Sequence, residues 1–230
     1  LARRHNGTSD FSTVPVANMS LFAVGFWLRV VALPSGGVFR EVVTFAEAPG
    51  DTTQDKSARL YTTGTVTATV YTGSVVETGS LVSTVGTYEQ WLLVMDGTNL
   101  THYRDGTAST PVAAASSYTG YASPELVLAR GATGTGFAQV DLARVALWDA
   151  PLSSGERGDF FAGVSPASIR TADLFDYWPL VADGAGVNGN TMSFTGGSFT
   201  DDPAGGAPAA SAPAARRGRR RQRLDGFYIR

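Results

Sequence analysis

The chain of 230 residues contains no cysteine, which removes disulfides, thiolate metal sites and thiol nucleophiles at once. Lysine occurs once, at Lys56, and histidine twice, at His5 and His102. No phosphate-cradling loop of the G-x-x-x-x-G-K-[S/T] type is present, and no histidine pair has metal-ligand spacing. Both histidines therefore read as surface residues. No run comes near the roughly 18 consecutive apolar residues of a membrane span, so no membrane partner is expected. The opening LARRHNGTSDF has arginines but no apolar segment behind them, and no export signal is visible there. A start at Leu1 rather than methionine is what a trimmed or processed chain would show.

What is present is a split of charge. From Leu1 to Ala215 there are 11 Lys+Arg against 19 Asp+Glu, net −8, whereas Arg216 to Arg230 has 7 against 1, net +6. An anionic body with a cationic end suggests an interaction tail. With 43% hydrophobic residues, the body has enough apolar material for a core.

Along the body the pattern has period two, rich in Thr, Val, Phe and Tyr and broken at short intervals by Gly, Pro and Asp. In LFAVGFWLRV, Phe22, Val24, Phe26, Leu28 and Val30 share one face, read as core, and Ala23, Gly25, Trp27 and Arg29 share the other. Further strands are expected at Val38 to Ala46, Ala58 to Thr63, Thr65 to Tyr71, Tyr88 to Asp96, Leu100 to Gly106, Glu125 to Gly131 and Phe137 to Asp149. DGTN and RDG mark hairpin turns. Only two places look helical. Ser153 followed by Glu156 is a capping-box spacing that predicts a short helix to about Phe161, and PASIRTADL holds one more turn. Many strands and little helix imply an all-β fold of two packed antiparallel sheets, a sandwich or jelly roll.

Five segments in order resemble the concanavalin A-like, laminin G-like domain family: HNGTSDFSTVP, LFAVGFWLRV, YEQWLLVMDGTNLTHYRDGT, GFAQVDLARVALWDAPLSSGE and LFDYWPLVADGAGVNG. The resemblance runs from about His5 to Phe199 and implies a jelly roll over residues 1–200. Members most often bind carbohydrate or protein at their loops or concave face, and they include glycosidases as well as non-catalytic modules. Glucanase relatives carry paired carboxylates in an E-x-D-x-E arrangement. Here Glu41, Glu47, Glu77, Glu89, Glu125 and Glu156 are scattered and none has that spacing, so no enzyme is expected.

Calcium is the cofactor the resemblance makes conceivable, with Asp51 and Asp55 of PGDTTQDKS or Asp141 as ligands. Turn-forming and strand-end aspartates are the favoured reading, and no cofactor is expected. For a host-surface glycan, Trp91, Trp148 and Trp178 coincide with positions the family buries. Tyr118 and Tyr121 in SSYTGYAS remain as glycan-stacking candidates, against the plainer reading of loop packing.

From Asp201 the composition changes. Residues 201–215, DDPAGGAPAASAPAA, read as an Ala/Pro/Gly linker, whose last 13 residues reach about 40 Å when extended. Residues 216–230 form an Arg-rich arm. Arg216, Arg217, Arg219, Arg220, Arg221, Arg223 and Arg230 supply bidentate grip on carboxylate or phosphate, and Leu224, Phe227, Tyr228 and Ile229 a hydrophobic anchor. The plainer reading is a solubility or non-specific nucleic-acid tail, whose binding would fall steeply with salt. The resemblance and the arm together lead to the expectation of a non-enzymatic structural or decoration protein of a virion, on capsid or tail. It would be bound to virion structural proteins in a multi-copy assembly. The alternative is a secreted or surface, hence extracellular, carbohydrate-binding module or adhesin.

Overall fold

A computed structural model describes residues 2–35, 39–47, 56–61, 63–71, 75–114, 123–131, 136–180 and 183–200. Among these residues, strands numbered along the chain pair antiparallel into two sheets. The first runs β11 (Thr107–Ala108), β10 (Asn99–Arg104), β9 (Tyr88–Met95), β3 (Phe22–Val30), β14 (Val140–Trp148), β1 (Ala2–Arg4) and β17 (Ser198–Thr200). β12 (Val112–Ala113) also pairs with β10, and β15 (Leu174–Trp178) with β14. The second runs β16 (Ser193–Thr195), β2 (Phe11–Pro15), β13 (Pro124–Leu128), β4 (Arg40–Glu47), β5 (Lys56–Leu60), β6 (Thr65–Tyr71) and β7 (Val75–Glu77), with β8 (Leu81–Val82) on β6. Ala2 pairs with Thr200, so the first and last described strands lie side by side.

The core lies between the sheets. Phe22, Val24, Phe26, Leu28 and Val30 of β3 face Val43, Phe45, Ala58, Leu60, Val66, Leu126 and Leu128 of the other sheet in one buried cluster. The second face of β3 is not solvated, because α1 (Ser154–Phe161) covers it. Ser153 caps α1 by accepting from the Glu156 amide at 3.4 Å, and Glu156 Oε2 accepts from the Ser153 amide at 2.7 Å. That reciprocal pair holds the Glu156 carboxyl below its ordinary range, the backbone bond being the larger cause. Phe160 packs edge-on against Trp27 and Trp148, with centroids 5.2 and 6.3 Å apart. Gly25 makes this possible: a Cβ there would meet the Phe160 ring at 2.7 Å. One short 3-10 turn, Pro166–Ser168, follows, and no helix among the described residues is long and apolar enough to cross a membrane.

Local chemistry sets the turns. Asp96 accepts from the amides of Thr98 and Asn99 at 2.9 and 2.7 Å, closing the β9–β10 turn. Asp105 and Gly106 both have positive φ, 47° and 86°, the conformation of a type I′ hairpin, and Arg104 pairs with Thr107 across it.

The expectation for the histidines is corrected: both are fully buried. His102 shares its strand face with Leu100, so period two carries it inward, where it stacks on Trp91 at 5.9 Å. Its Nδ1 lies 2.8 Å from the Thr78 hydroxyl. His5 Nε2 lies 3.0 Å from the Ser12 hydroxyl. Desolvation pushes each imidazole down to about 4, so both are neutral in the fold at neutral pH.

Candidate functional site

Several sequence candidates fall where nothing is described. Tyr118, Tyr121, Asp51, Asp55, the linker 201–215 and the arm Arg216 to Arg230 all lie outside the described residues. Trp91, Trp148 and Trp178 are fully buried, in line with the resemblance. Asp141, considered as a calcium ligand, is corrected. It is fully buried, accepts from Arg4 Nε at 2.8 Å and Arg4 Nη2 at 3.1 Å, and accepts from Arg29 Nε at 2.8 Å and from Arg29 Nη2. Two guanidinium groups already neutralise it, which leaves no room for a third cation. Among the described residues no three His, Asp or Glu come together as a metal site.

What the fold assembles instead lies on the outward face of the second sheet. Ala58, Leu60, Val66 and Ala68 point into the core, so Ser57, Arg59, Thr67 and Thr69 lie on the opposite face of the sheet, where they too are buried. The register lines up Thr13, Val127, Thr44, Ser57 and Thr69 in one row across five strands. The Ser57 and Thr69 hydroxyls meet at 2.8 Å.

Next to this row sits a charged and aromatic cluster. β4 shifts register between Glu41 and Val43, and this bulge turns Glu41 outward while Val43 stays in the core. Arg59 Nη2 lies 3.3 Å from Glu41 Oε1, and Arg59 Nη1 lies 3.9 Å from Glu77 Oε1. Its guanidinium stands 4.1 Å over the Phe39 ring, which is itself 5.7 Å from Tyr61. The Tyr61 hydroxyl donates to Glu77 Oε1 at 2.5 Å. Burial first, and then Glu77, raises the Tyr61 phenol above its ordinary range, so it is a protonated donor. Arg59 and Glu41 are buried, whereas Phe39 and Tyr61 are half-buried and Glu77 is exposed. The cluster is buried underneath and open at its rim.

Glu41 also bridges to Phe137, where a cleft of about 210 Å³ opens at the loop end of the sandwich. Thr8, Ser35, Arg40, Phe137 and Gln139 line it. Asn6 lines it too, but its amide oxygen is committed to the backbone amides of Thr8, Ser9 and Asp10.

No protein-family model matches the chain, and no curated protein is similar to it in sequence. Solved structures are similar in fold. A Bacteroides ovatus protein described as a candidate carbohydrate binder aligns with TM-score 0.58 and 13% identity, over 84% of this chain and 58% of that one. The fold is a concanavalin A-like, laminin G-like jelly roll. A Trypanosoma rangeli sialidase aligns at TM-score 0.55 and 17% identity over 72% of this chain, and domains LG4-5 of the mouse laminin alpha1 chain at 0.51 and 14% over 66%. The jelly roll spans 28% of the sialidase chain and 44% of the laminin one, so these neighbours are longer proteins of which it resembles a part.

Sequence reasoning missed Phe39, Glu41, Arg59, Tyr61 and Glu77. The available signal was the alternation within VFREVVTFA and ARLYTT, which puts charged and aromatic residues opposite apolar ones. What that alternation omits is that β4, β5 and β6 are neighbours.

Proposed function

We propose that the protein is a non-catalytic carbohydrate-binding module, with the rim of the Arg59 cluster, at Phe39, Tyr61 and Glu77 on the second sheet, as its binding surface. The observation that carries this reading is the Phe39–Arg59–Tyr61–Glu77 cluster, in which a buried ion pair holds an aromatic rim in place. Sugars present apolar C–H faces and a ring of hydroxyls. A site for them needs an aromatic surface for the first, and fixed donors and acceptors for the second. Glu77 is exposed and acceptor-rich, and the half-buried Tyr61 hydroxyl, whose own proton goes to Glu77, keeps its oxygen as an acceptor. Glu41 and Glu77 both face the same guanidinium, an arrangement suited to orienting hydroxyls rather than to delivering a proton to a leaving group. The carbohydrate-binding description belongs to the Bacteroides ovatus protein; at 13% identity that likeness carries fold, and the surface chemistry carries the function.

The test is a glycan array on the full chain, followed by calorimetry with any hit on wild type, Tyr61→Ala and Glu77→Gln. Binding that both substitutions weaken about tenfold, with unfolding unchanged, supports the surface. A hit indifferent to both removes it.

A second reading keeps the charge split as its observation: the body is a structural module of a virion, and the arm ties it to neighbouring subunits. Co-sedimentation with candidate assemblies, comparing the full chain with a truncation after Ala215, tests it. Equal behaviour of the two chains ends that reading, and salt-resistant, arm-dependent co-sedimentation supports it.

A further inference from the structure

A second cavity, of about 260 Å³, opens on the other sheet between the end of α1 and β15. Arg144, Tyr177 and Ser165 provide its polar groups, and Val164, Pro166 and Pro179 its apolar walls. Arg144 does not sit in a regular strand. The register of β14 against β3 slips between Ala143 and Ala146, and Arg144 takes φ 51°, a left-handed conformation unfavourable for a residue with a Cβ. A bulge of this kind re-aims a side chain, and backbone held in a sparse region is a pointer to function.

The re-aimed guanidinium stands 5.2 Å from the centre of the Trp27 ring. It forms no ion pair among the described residues, unlike Arg4, Arg29, Arg59, Arg104 and Arg170, each of which faces a carboxylate. No carboxylate is among the described residues lining the cavity. Burial holds the Tyr177 phenol above its ordinary range and Arg144 opposes that, so the hydroxyl is a donor facing a fixed cation. On a body of net charge −8, a cationic pocket without an internal counter-ion is a place built for an anion.

We propose that this cavity binds a small ring-bearing carboxylate, gripped by the Arg144 fork and the Tyr177 hydroxyl, with its ring against Val164, Pro166 and Pro179. One guanidinium and one phenol match the two oxygens of a carboxylate. The volume suits one six-membered ring with its acid group, not an oligomer. The site is separate from the outward face of the second sheet, and it stands or falls independently of the function proposed there.

Calorimetry on the full chain tests it with two pairs of probes, benzoate against benzamide and glucuronate against glucose. The expected result is saturable binding of one acid, at least about tenfold tighter than its neutral partner. Arg144→Gln should weaken it about ten- to a hundredfold, and Tyr177→Phe, which removes only a hydroxyl, several-fold. Arg104→Gln, on β10 and in neither candidate site, should leave it unchanged. Which acid binds distinguishes an aromatic from a sugar source. The proposal is overturned if neither acid binds, if the neutral partners bind as well, or if cooperatively unfolding Tyr177→Phe and Arg144→Lys variants bind like wild type.

Discussion

Lowering the pH from 7.5 to 5 should destabilise this protein through two residues that no site uses, His5 and His102. Each has an ordinary pKa of 6.5 that burial pushes down to about 4. For His5, desolvation is the largest cause and Arg3 adds to it, while Asp10 and Asp141 oppose it. For His102, desolvation acts with only a backbone bond from Val66 against it. Between these pKa values the unfolded chain binds protons that the folded chain refuses, so stability rises with pH in that window. It is fully present above about 6.5, falls as the pH drops, and levels off below about 4. Each histidine then removes about 2 kcal/mol at pH 5 and about 3 kcal/mol at pH 4. Against a total stability of roughly 5–15 kcal/mol, the pair is a substantial fraction. Denaturant unfolding at pH 7.5 and pH 5 of wild type and His102→Gln measures the effect, and the difference between the two slopes cancels the contribution of the carboxylates. His102→Gln should shed about 2 kcal/mol of the pH dependence whatever it does to stability at pH 7.5. Identical slopes would refute the argument, as would an imidazole that titrates near 6.5 in the folded protein by NMR.

Three further outcomes follow from the packing. Asp141→Asn removes the buried carboxylate that Arg4 and Arg29 share; because Arg4 is two-fifths exposed and water screens it, the cost in denaturant unfolding should be about 1–3 kcal/mol, with faster hydrogen exchange at Ala2 to Arg4. Gly25→Ala drives a methyl into the Phe160 ring and should cost about 1–3 kcal/mol; combining it with Phe160→Leu should recover part of the loss in thermal unfolding. Ser153→Ala removes the helix cap and should cost about 1 kcal/mol, an effect Glu156→Gln reproduces only in part because a glutamine side chain still reaches the Ser153 amide.

The elements most legible in the sequence are those whose signal is local. The capping box at Ser153 and Glu156 started the helix where expected, because both partners lie within one turn. Thr65 to Tyr71 and the two Asp-Gly turns were equally readable, since β-branched alternation and positive φ are properties of a few adjacent residues. The histidines were misread for the opposite reason. Two polar residues suggested surface, whereas the face each occupies follows from its strand neighbours, Leu100 in the case of His102. Short strands such as β1, β16 and β17 carry too few residues to show a period and exist only through their partners.

By itself, the sequence determined that this is an all-β body without cysteine, with a capped helix, an apolar alternation sufficient for a two-sheet core, and a charge of opposite sign gathered at its end. These are sums and short-range periods, which folding does not alter. Only the tertiary structure decided that the second face of β3 is covered by α1, that Asp141 serves two arginines rather than a metal, and that Glu41 turns outward to Arg59. The physical reason is register. A single bulged residue in β4 and another in β14 exchange the faces of every side chain beyond them, and nothing local in VFREVV or DLARVA announces the extra residue. Both candidate sites, the Arg59 cluster and the Arg144 cavity, stand at those two bulges.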